Sequence, residues 1–363
     1  MSSIFGHLNI SDSDRVFNAT IGQRAIFDAA NEYVIKANAE LMAAMSVFLE
    51  ETTDEYKRRY KLPGSGYLQQ RNVDGSYGTV KATGQWDVAF PLHDYGAQIA
   101  GNDVDMAYMT VAELDRHLKT VVLQNVNTVR FEILKALLDN AQDTFADPAW
   151  GDLSIEPLAN GDAVVYPPVL GSSAEATDNH YLESGYVVAN MSATNDPFNT
   201  IRNEIEEHFG VSANGSDIIT FAASDVVAKA RALGTAGTIE LVPVTDKGVN
   251  PGQDTATLRL LSGTYPGILV GRVDGIWLVE WRWLPSTYTL SLDTSQPKPL
   301  IRRIDPADTG LGDGLQLVAM EELFPFKGSF WRHRFGLGVG NRLNGVALEV
   351  AAGGTYTVPT AYD

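Results

Sequence analysis

The chain has 363 residues, of which 44% are hydrophobic and 20% charged, a composition typical of globular proteins and not of disordered or fibrous ones. The formal net charge of −18 argues against a sequence-independent nucleic-acid binder, because such a protein needs a basic face to displace counterions from phosphates. The sequence contains no cysteine, which excludes disulfides, thiolate nucleophiles and cysteine-ligated metal sites.

The first elements are a polar arm and a helix. Residues 1–19 lack apolar periodicity and carry neither the basic region nor the long apolar stretch of a signal peptide. From Ile21 to Leu49, apolar residues recur at helical spacing, which predicts an amphipathic helix with an Ala-rich face. No apolar run approaches the roughly 18–20 residues that span a bilayer, so we expect a soluble, cytosolic product without a membrane segment.

Glycines interrupt the next stretch, from Tyr56 to about Met109, and separate short alternating runs that contain aromatic residues. Such runs predict short strands. The Asp74-Gly75 dipeptide lies between two of them and predicts a type I′ hairpin turn, in which both central residues have positive φ. This β-excursion of roughly 50 residues contains few large aliphatic side chains, so it cannot bury a core of its own.

A long helix is the strongest local prediction of the sequence. Thr110 and Glu113 have the spacing of a capping box, in which each side chain accepts from the other residue's backbone N–H. Apolar residues then follow at helical spacing, and neither Gly nor Pro occurs before Pro148. The pattern predicts a helix of roughly 30–35 residues that ends near Phe145, far longer than the mean helix of about 11–12 residues.

The rest of the chain mixes strands and helices. Asp196-Pro197 predicts the start of a helix that ends near Phe209, and Ser224–Leu233 predicts a second helix that Gly234 ends. Because the two kinds of element do not alternate regularly, we predict a mixed α+β chain. The predicted strands are Ala163–Tyr166, Tyr186–Val188, Asp217–Phe221, Leu258–Leu261, Gly267–Val270, Ile276–Trp283, Thr287–Leu292 and Phe330–Val350.

No motif in the sequence carries catalytic chemistry. Gly336-x-Gly338-x-Gly340 lies within a predicted strand, so we interpret its glycines as points of close backbone approach and not as a dinucleotide loop. The three tryptophans of Ile276–Trp283 share one parity and should lie on one face of a strand. None of the six histidines has the spacing of a metal-binding pair, which favours solvated or core positions. We therefore assign no catalytic, cofactor-binding or metal-ligating residue.

The negative charge is concentrated in two segments. Residues 1–54 carry eight acids and three bases, and residues 146–194 carry seven acids and no base, whereas residues 55–109 carry six of each. We interpret the stretch 146–194 either as a solvated face or as a surface that repels polyanions.

The order of these elements resembles that of tailed-phage major capsid proteins with the Hong Kong 97-type fold. Residues 55–109 resemble the extended loop of that family and Thr110–Phe145 its spine helix. Asp196–Gly234 resembles the helix–strand–helix of its axial domain, and Gly328–Val339 the late strand that returns to its peripheral domain. The likeness covers most of the chain and is one of pattern, because the family has no invariant short signature.

The resemblance implies an α+β fold with an N-terminal arm, an extended β-hairpin loop, a long spine helix, and peripheral and axial domains. The implied boundaries are 1–54 for the arm and first helix, 55–109 for the extended loop, 110–194 for the peripheral domain with the spine helix, 195–327 for the axial domain, and 328–363 for the return strand. The implied function is structural and not enzymatic: pentamers and hexamers that form an icosahedral shell around double-stranded DNA.

The resemblance also implies partners and a location. The chain would bind other copies of itself and enclose DNA without sequence-specific binding, and neither a cofactor nor a membrane would be involved. A separate scaffolding protein, a portal and a decoration protein are further partners that the family allows. The location would be the virion, after synthesis in the host bacterial cytoplasm.

The extended loop is the predicted place of contact between subunits, because it needs a neighbour to cover it. Its balanced charge suits contact with an acidic surface such as residues 146–194 of a neighbouring subunit. Some family members cross-link a loop lysine to an asparagine of a neighbour. By position, Lys81 is the only candidate beyond the predicted turn, and no asparagine partner or carboxylate catalyst is identified for it. The predicted contact residues are Arg58, Arg59, Lys61, Asp74, Gly75, Tyr77, Lys81 and Trp86.

Two alternatives stay open. An encapsulin-type compartment shell shares the fold and encloses enzyme cargo, so packaged protein instead of DNA would favour it. An α+β enzyme of unrecognised class would have a deep pocket into which side chains with shifted pKa values converge.

Overall fold

The computed structural model describes residues 23–61, 70–75, 84–148, 150–170, 172, 174–209, 217–243, 266–321 and 326–362. The chain forms two compact units. Unit 1 comprises the described residues within 1–42, 93–130 and 305–335, and unit 2 those within 43–92, 131–304 and 336–363. Each unit is therefore assembled from segments that are distant in sequence.

Helices and strands are interspersed along the described residues, which agrees with the predicted α+β class. The helices are α1 (Gln23–Met45), α2 (Asp103–Tyr108), α3 (Val111–Leu138), α4 (Pro197–Phe209) and α5 (Ser224–Thr235), and the strands are β1 (Leu49–Thr53), β2 (Lys57–Lys61), β3 (Gln85–Ala89), β4 (His93–Asn102), β5 (Asp143–Asp147), β6 (Gly151–Ile155), β7 (Tyr181–Glu183), β8 (Ile218–Ala222), β9 (Leu241–Pro243), β10 (Ile268–Val273), β11 (Ile276–Glu280), β12 (Tyr288–Asp293), β13 (Leu300–Arg303), β14 (Gln316–Glu321), β15 (Phe326–Val339) and β16 (Val346–Glu349).

Unit 1 is built around the first part of β15, up to Phe335, which pairs antiparallel with β4 and with β14. Trp331 of this strand is buried, with 2% of its surface exposed. Helix α3 presents apolar residues at spacings of three and four to the same core, as an amphipathic helix should. The buried core residues are Val34, Ile99, Leu114, Leu118, Val121, Val122, Leu315 and Trp331.

The predicted capping box at the start of α3 is confirmed. The backbone N–H of Thr110 donates to Glu113 Oε2 (3.0 Å), and the N–H of Glu113 donates to Thr110 Oγ1 (3.3 Å). Two of the N–H groups that a helix start leaves unpaired are thereby satisfied.

The end of α3 differs from the prediction, because the helix stops at Leu138 after 28 residues instead of near Phe145. The hydroxyl of Tyr356 donates to the carbonyl oxygen of Leu138 (2.7 Å), and that of Tyr181 donates to the carbonyl oxygen of Asp139 (2.6 Å). These distant tyrosines satisfy carbonyls that the next helical turn would have used. Residues 143–147 instead form β5, which pairs with β6.

Unit 2 contains a seven-stranded mixed sheet in the order β7-β16-β12-β8-β11-β10-β9. β8 pairs parallel with β11, and β7 pairs parallel with β16, whereas the other neighbours are antiparallel. Helices α4 and α5 pack their apolar faces onto this sheet. Phe198, Ile201 and Ile205 form the buried stripe of α4, at helical spacing.

Two further groups of strands complete unit 2. β1 pairs parallel with β13, which pairs antiparallel with the later part of β15, from Gly336 to Val339. The pairs β2–β3 and β5–β6 each form a two-stranded antiparallel sheet.

Several predicted elements differ in extent or type. The helix Pro197–Phe209 agrees with its prediction. Helix α5 continues through Gly234 to Thr235; a Cβ on Gly234 would overlap the side chain of Leu241, so this glycine allows close packing and does not end the helix. Ala163–Tyr166 is not a strand, and Tyr166 makes only an isolated bridge to Ala176. The predicted strand 258–261 lies outside the described residues.

The prediction for the tryptophans of residues 276–283 is wrong in one part. Strand β11 ends at Glu280, so parity no longer fixes the orientation of the residues that follow. Trp277 and Trp281 are buried at 5% and 3% exposure, whereas Trp283 is 51% exposed. Trp281 packs against Phe48 and Phe221, with ring centroids 5.6 and 5.7 Å away.

The predicted type I′ turn lies at a different Asp-Gly dipeptide. Asp74 does not have positive φ, and the N–H of Gly75 donates to the carbonyl oxygen of Asn72 (2.9 Å), so the prediction for Asp74-Gly75 is wrong. Asp274 and Gly275 have φ of 46° and 90° and form the two-residue loop of the β10–β11 hairpin, as a type I′ turn requires.

The glycines of the C-terminal strand allow close backbone approach, as predicted. A Cβ on Gly336 would overlap the carbonyl group of Pro91, and one on Gly338 would come within 2.6 Å of the ring of Phe90. Larger residues are therefore excluded at these two positions of β15.

Candidate subunit interface

Four of the eight predicted contact residues lie on a hairpin stem of unit 2, formed by β2 and β3: Arg58, Arg59, Lys61 and Trp86. Arg59 lies opposite Asp87, and Lys61 opposite Gln85. Because side chains alternate along a strand, Lys57, Arg59 and Lys61 are exposed on one face. Within the described part of the chain these two strands pair only with each other, which leaves the outer backbone edges of the stem without a strand partner.

Arg59 is engaged within its own chain. Its Nε donates to Oδ1 of Asp87 (2.6 Å) and its Nη2 to Oδ2 (2.8 Å), which is a bidentate pair. Lys57 Nζ lies 3.2 Å from the same carboxylate. The hydrogen bond from Arg59 lowers the pKa of Asp87 to about 2. The three side chains stiffen the stem across its two strands.

Arg58 and Lys61 have different surroundings. Arg58 forms ion pairs with Glu55 and Glu51, and the hydrogen bond to Glu55 is the main reason that its pKa is raised. Lys61 is exposed and makes no ion pair with any described residue. Among the predicted contact cations that the structure describes, Lys61 is therefore the one with the most freely available charge.

Trp86 lies on the buried face of the stem and not on its outer surface. It is 8% exposed, and its ring stacks on that of Tyr60 at a centroid distance of 5.3 Å. The ring of Tyr166 packs against it at 5.9 Å. Together with Val88 and Phe90, these rings anchor the stem to the rest of unit 2.

The loop beyond the stem is described in part. Asp74 is exposed, and Gly75 is half-buried beside the side chain of Arg71, whose Nε donates to its carbonyl oxygen (3.2 Å). Tyr77 and Lys81 lie outside the described residues.

The acidic segment 146–194 is partly neutralised by bases from other parts of the chain. Asp147 lies 3.7 Å from Arg303, and Asp162 lies 2.8 Å from the fully buried Arg342. Asp152 remains exposed on β6. The segment therefore presents less free negative charge than its sequence suggests.

Exposed aromatic side chains form a second kind of candidate contact that the sequence analysis missed. Trp150, in the β5–β6 turn, is 58% exposed and stacks on Tyr56 at a centroid distance of 4.5 Å. Trp283 and Ile268, also of unit 2, are 51% and 54% exposed. Aromatic residues are enriched at protein interfaces. A tryptophan between Pro148 and Gly151, within a turn, is the signal that could have indicated this position.

A cleft of about 510 Å³ lies beside the stem. Its acids already have partners, because Glu156 accepts from Gln142 Nε2 (2.6 Å) and Asp162 pairs with Arg342. The cleft thus offers no pair of free acid and base groups among the described residues, so it gives no support to the enzyme alternative.

A buried cluster of titratable side chains lies elsewhere in unit 2. His180 Nε2 lies 2.7 Å from Asp178 Oδ2, and His208 Nε2 lies 2.9 Å from the same oxygen. The side chains of His180, His208 and Asp178 are 0%, 4% and 12% exposed. His180 and Asp178 precede β7, and His208 lies in the last turn of α4.

The electrostatics of this cluster reflect burial and mutual charge. Burial opposes ionisation of Asp178, but hydrogen bonds from the two histidines outweigh it and lower the pKa of Asp178. For His208, burial by itself would lower the pKa. The hydrogen bond to Asp178 more than offsets this effect, so the pKa of His208 is raised overall. Burial raises the pKa of Glu204, on the same helix, to about 7.

No helix of the described residues is both long and apolar enough to cross a membrane.

Comparison with known proteins gives matches among solved structures alone: no family model and no curated protein sequence matches the chain. A protein of Mycobacterium phage Patience is 17% identical and gives a TM-score of 0.67 over 100% of this chain and 98% of that one. The capsid of cyanophage P-SCSP1u is 11% identical and gives a TM-score of 0.51 over 84% and 86%. At sequence identities this low, structural similarity establishes the fold alone. The chain has the Hong Kong 97-type fold of tailed-phage capsid proteins.

Proposed function

We propose that the chain is a major capsid protein, whose copies assemble as pentamers and hexamers into an icosahedral shell around double-stranded phage DNA. The observation that carries this proposal is the fold, which matches a phage protein over 100% of this chain with a TM-score of 0.67. The role is structural, so it depends on surfaces and not on a catalytic centre.

The hairpin stem gives physical support to assembly. A two-stranded hairpin is marginally stable in water by itself, because it buries too little apolar surface. This stem is anchored through its buried face by Trp86 and Tyr60, while the exposed face of β2 carries Lys57, Arg59 and Lys61. A neighbouring subunit that covers the stem would bury both its free edges and this charged face.

Charge complementarity suggests how the stem meets that neighbour. We place Lys61 at the contact, opposite the exposed acids of residues 146–194, of which Asp152 is one. Arg58 and Arg59 contribute less in this scheme, because carboxylates of their own chain already bind them. Asp74, Gly75, Tyr77 and Lys81 would extend the contact along the loop.

The net charge of −18 suits a shell that encloses DNA without gripping it. An acidic surface repels phosphates, so the genome stays mobile during packaging and release. The chain would be made in the host cytoplasm and would end in the virion. A scaffolding protein, a portal and a decoration protein are the further partners of such a shell.

Sedimentation velocity of the purified full chain tests this proposal. We expect a concentration-dependent population of large particles, whose contents are then analysed for nucleic acid and for protein. Particles that contain DNA and no second protein agree with a capsid, whereas particles filled with a second protein indicate the encapsulin-type alternative. A chain that stays monomeric at every concentration would contradict assembly of either kind.

A further inference from the structure

Three segments of unit 2 that are distant in sequence meet at the buried histidine cluster. Asp178 and His180 precede β7, His208 lies in the last turn of α4, and Gly345 precedes β16. We propose that Asp178, His180 and His208 bind a divalent transition-metal ion of the zinc class. The site would be structural, holding these three segments together in a chain that has no cysteine for a disulfide.

Hydrogen-bond accounting around His180 supports a cation at this point. Its Nδ1 lies 2.8 Å from the carbonyl oxygen of Gly345, which only accepts, so Nδ1 carries a proton. Its Nε2 then points at Asp178 Oδ2, 2.7 Å away, which also only accepts when ionised. Two lone pairs cannot face each other at this distance without a cation between them, either a second proton or a metal ion.

The same carboxylate oxygen faces a second imidazole. His208 Nε2 lies 2.9 Å from Asp178 Oδ2, and the two imidazole planes are inclined by only 13°. Without a metal, both rings must supply protons to one oxygen in a site where the histidines are almost fully enclosed. A single divalent ion supplies the equivalent positive charge and leaves both rings neutral.

The spacing of the donor atoms fits a small ion. All three ligand atoms lie within 4.8 Å of one another. With bonds of about 2.0–2.2 Å, a tetrahedral zinc site separates its ligand atoms by roughly 3.3–3.5 Å. The distances from Asp178 Oδ2 to His180 Nε2 and to His208 Nε2 must therefore increase by about 0.5 Å, which small side-chain rotations can provide.

Further ligands are within reach on α4. Glu204 and Glu207 each place an oxygen within 4.8 Å of a carboxylate oxygen of Asp178. Glu207 Oε1 also lies 3.5 Å from His208 Nε2, so Glu207 is the candidate for a fourth ligand. The bond from His180 Nδ1 to a backbone carbonyl is the support that metal-binding histidines usually receive. Two imidazoles with carboxylates suit Zn²⁺, whereas Ca²⁺ and Mg²⁺ prefer oxygen ligands alone.

The test is zinc binding by the purified full chain after treatment with a chelator. We expect one equivalent of Zn²⁺ per chain, and a rise in melting temperature of about 5 °C when free Zn²⁺ exceeds the dissociation constant about 100-fold. Ca²⁺ at the same concentration should give no shift. In His208→Gln, whose amide can still donate to Asp178, we expect zinc affinity to fall at least about 10-fold.

His333→Gln is the matched control, because His333 is also buried, at 3% exposure, and lies in unit 1, where its Nδ1 contacts Asn125 (2.6 Å). This variant should retain the zinc-dependent shift. If His208→Gln fails to fold, the wild-type chain with Co²⁺ should show visible absorption bands of a metal bound by imidazole. Absence of zinc binding by the wild-type chain, equal affinity in both variants, or a featureless Co²⁺ spectrum would overturn the proposal.

Discussion

One buried arginine, Arg342, connects parts of this chain that are far apart in sequence. The guanidinium of Arg342 is fully buried, donates to the carbonyl oxygens of Pro157 (2.8 Å) and Leu158 (3.1 Å), and lies 2.8 Å from Asp162. Breaking a buried ion pair typically costs about 3–5 kcal/mol, because the remaining charge is left without a partner. The acidic segment is thus attached to the C-terminal part of the chain by one of its own carboxylates.

A second pair of titratable residues makes stability depend on pH. Asp196 accepts from the N–H of Phe198 (2.9 Å) at the start of α4, and its pKa is raised by burial and by hydrogen bonding to Asp274. A carboxyl group whose pKa is raised in the folded chain does not reduce stability when the pH is below its pKa in the unfolded chain, about 3.9. The cost grows as the pH rises from there to the folded pKa, and it is fully present above that pH.

Asp274→Asn should therefore stabilise the chain mainly at high pH. We expect the free energy of unfolding to rise by about 1–2 kcal/mol at pH 8 and by less at pH 5, because an amide can donate to ionised Asp196. Asn also tolerates the positive φ of this turn position. Urea denaturation at the two pH values measures the effect.

Asp152→Asn is the control for that experiment, because Asp152 is exposed and lies on a different hairpin. Its effect should stay within about 0.5 kcal/mol at either pH. An Asp274→Asn variant that gains equally at both pH values, or that loses stability at pH 8, would show that the two carboxylates do not interact.

Among helices, strands and turns, the features that depend on residues close together in sequence could be predicted. The capping box of Thr110 and Glu113 fixes the start of α3, because its atoms lie within three residues of one another. The end of α3 depends on Tyr356, which is 218 residues from its partner Leu138, so no local pattern could indicate it. Strand pairing likewise decides which Asp-Gly dipeptide becomes a type I′ turn.

Lys61→Glu should reduce assembly, because it places a negative charge opposite an acidic neighbour while the Arg59–Asp87 pair keeps the stem folded. We expect roughly a 5- to 10-fold rise in the protein concentration at which particles form, corresponding to about 1 kcal/mol per contact. Light scattering across a dilution series measures that concentration.

Lys61→Arg serves as the matched control, because it preserves the charge at the same position of β2. It should assemble at the wild-type concentration. Unchanged assembly of Lys61→Glu would remove Lys61 from the proposed contact, whereas an equal defect in both variants would point to side-chain shape and not to charge.

At the scale of the whole molecule, the fold could be predicted from the order of elements, since a glycine-punctuated β-excursion followed by a very long helix is an unusual arrangement. The candidate metal site could not be predicted. His180 lies 28 positions from His208 and 165 from Gly345, and only the packing of α4 beside β7 and β16 brings them together. The in-chain pair of Arg59 was also hidden, because only the strand register brings Asp87 opposite it. The partners of Arg58, Glu55 and Glu51, are by contrast close in sequence.

The division into domains at residues 54, 109, 194 and 327 stays a prediction. The two compact units of the chain each combine several of these segments. This interleaving makes it hard to separate any one segment as an independent domain.

Cryo-electron microscopy of the assembled protein tests the central claim most directly. We expect closed shells in which rings of five and six subunits are resolved, and in which the stem formed by β2 and β3 lies against an adjacent subunit. Particles with the stem free in solvent would contradict the proposed contact. A preparation that contains only separate monomers, with no rings or shells, would contradict the proposed function itself.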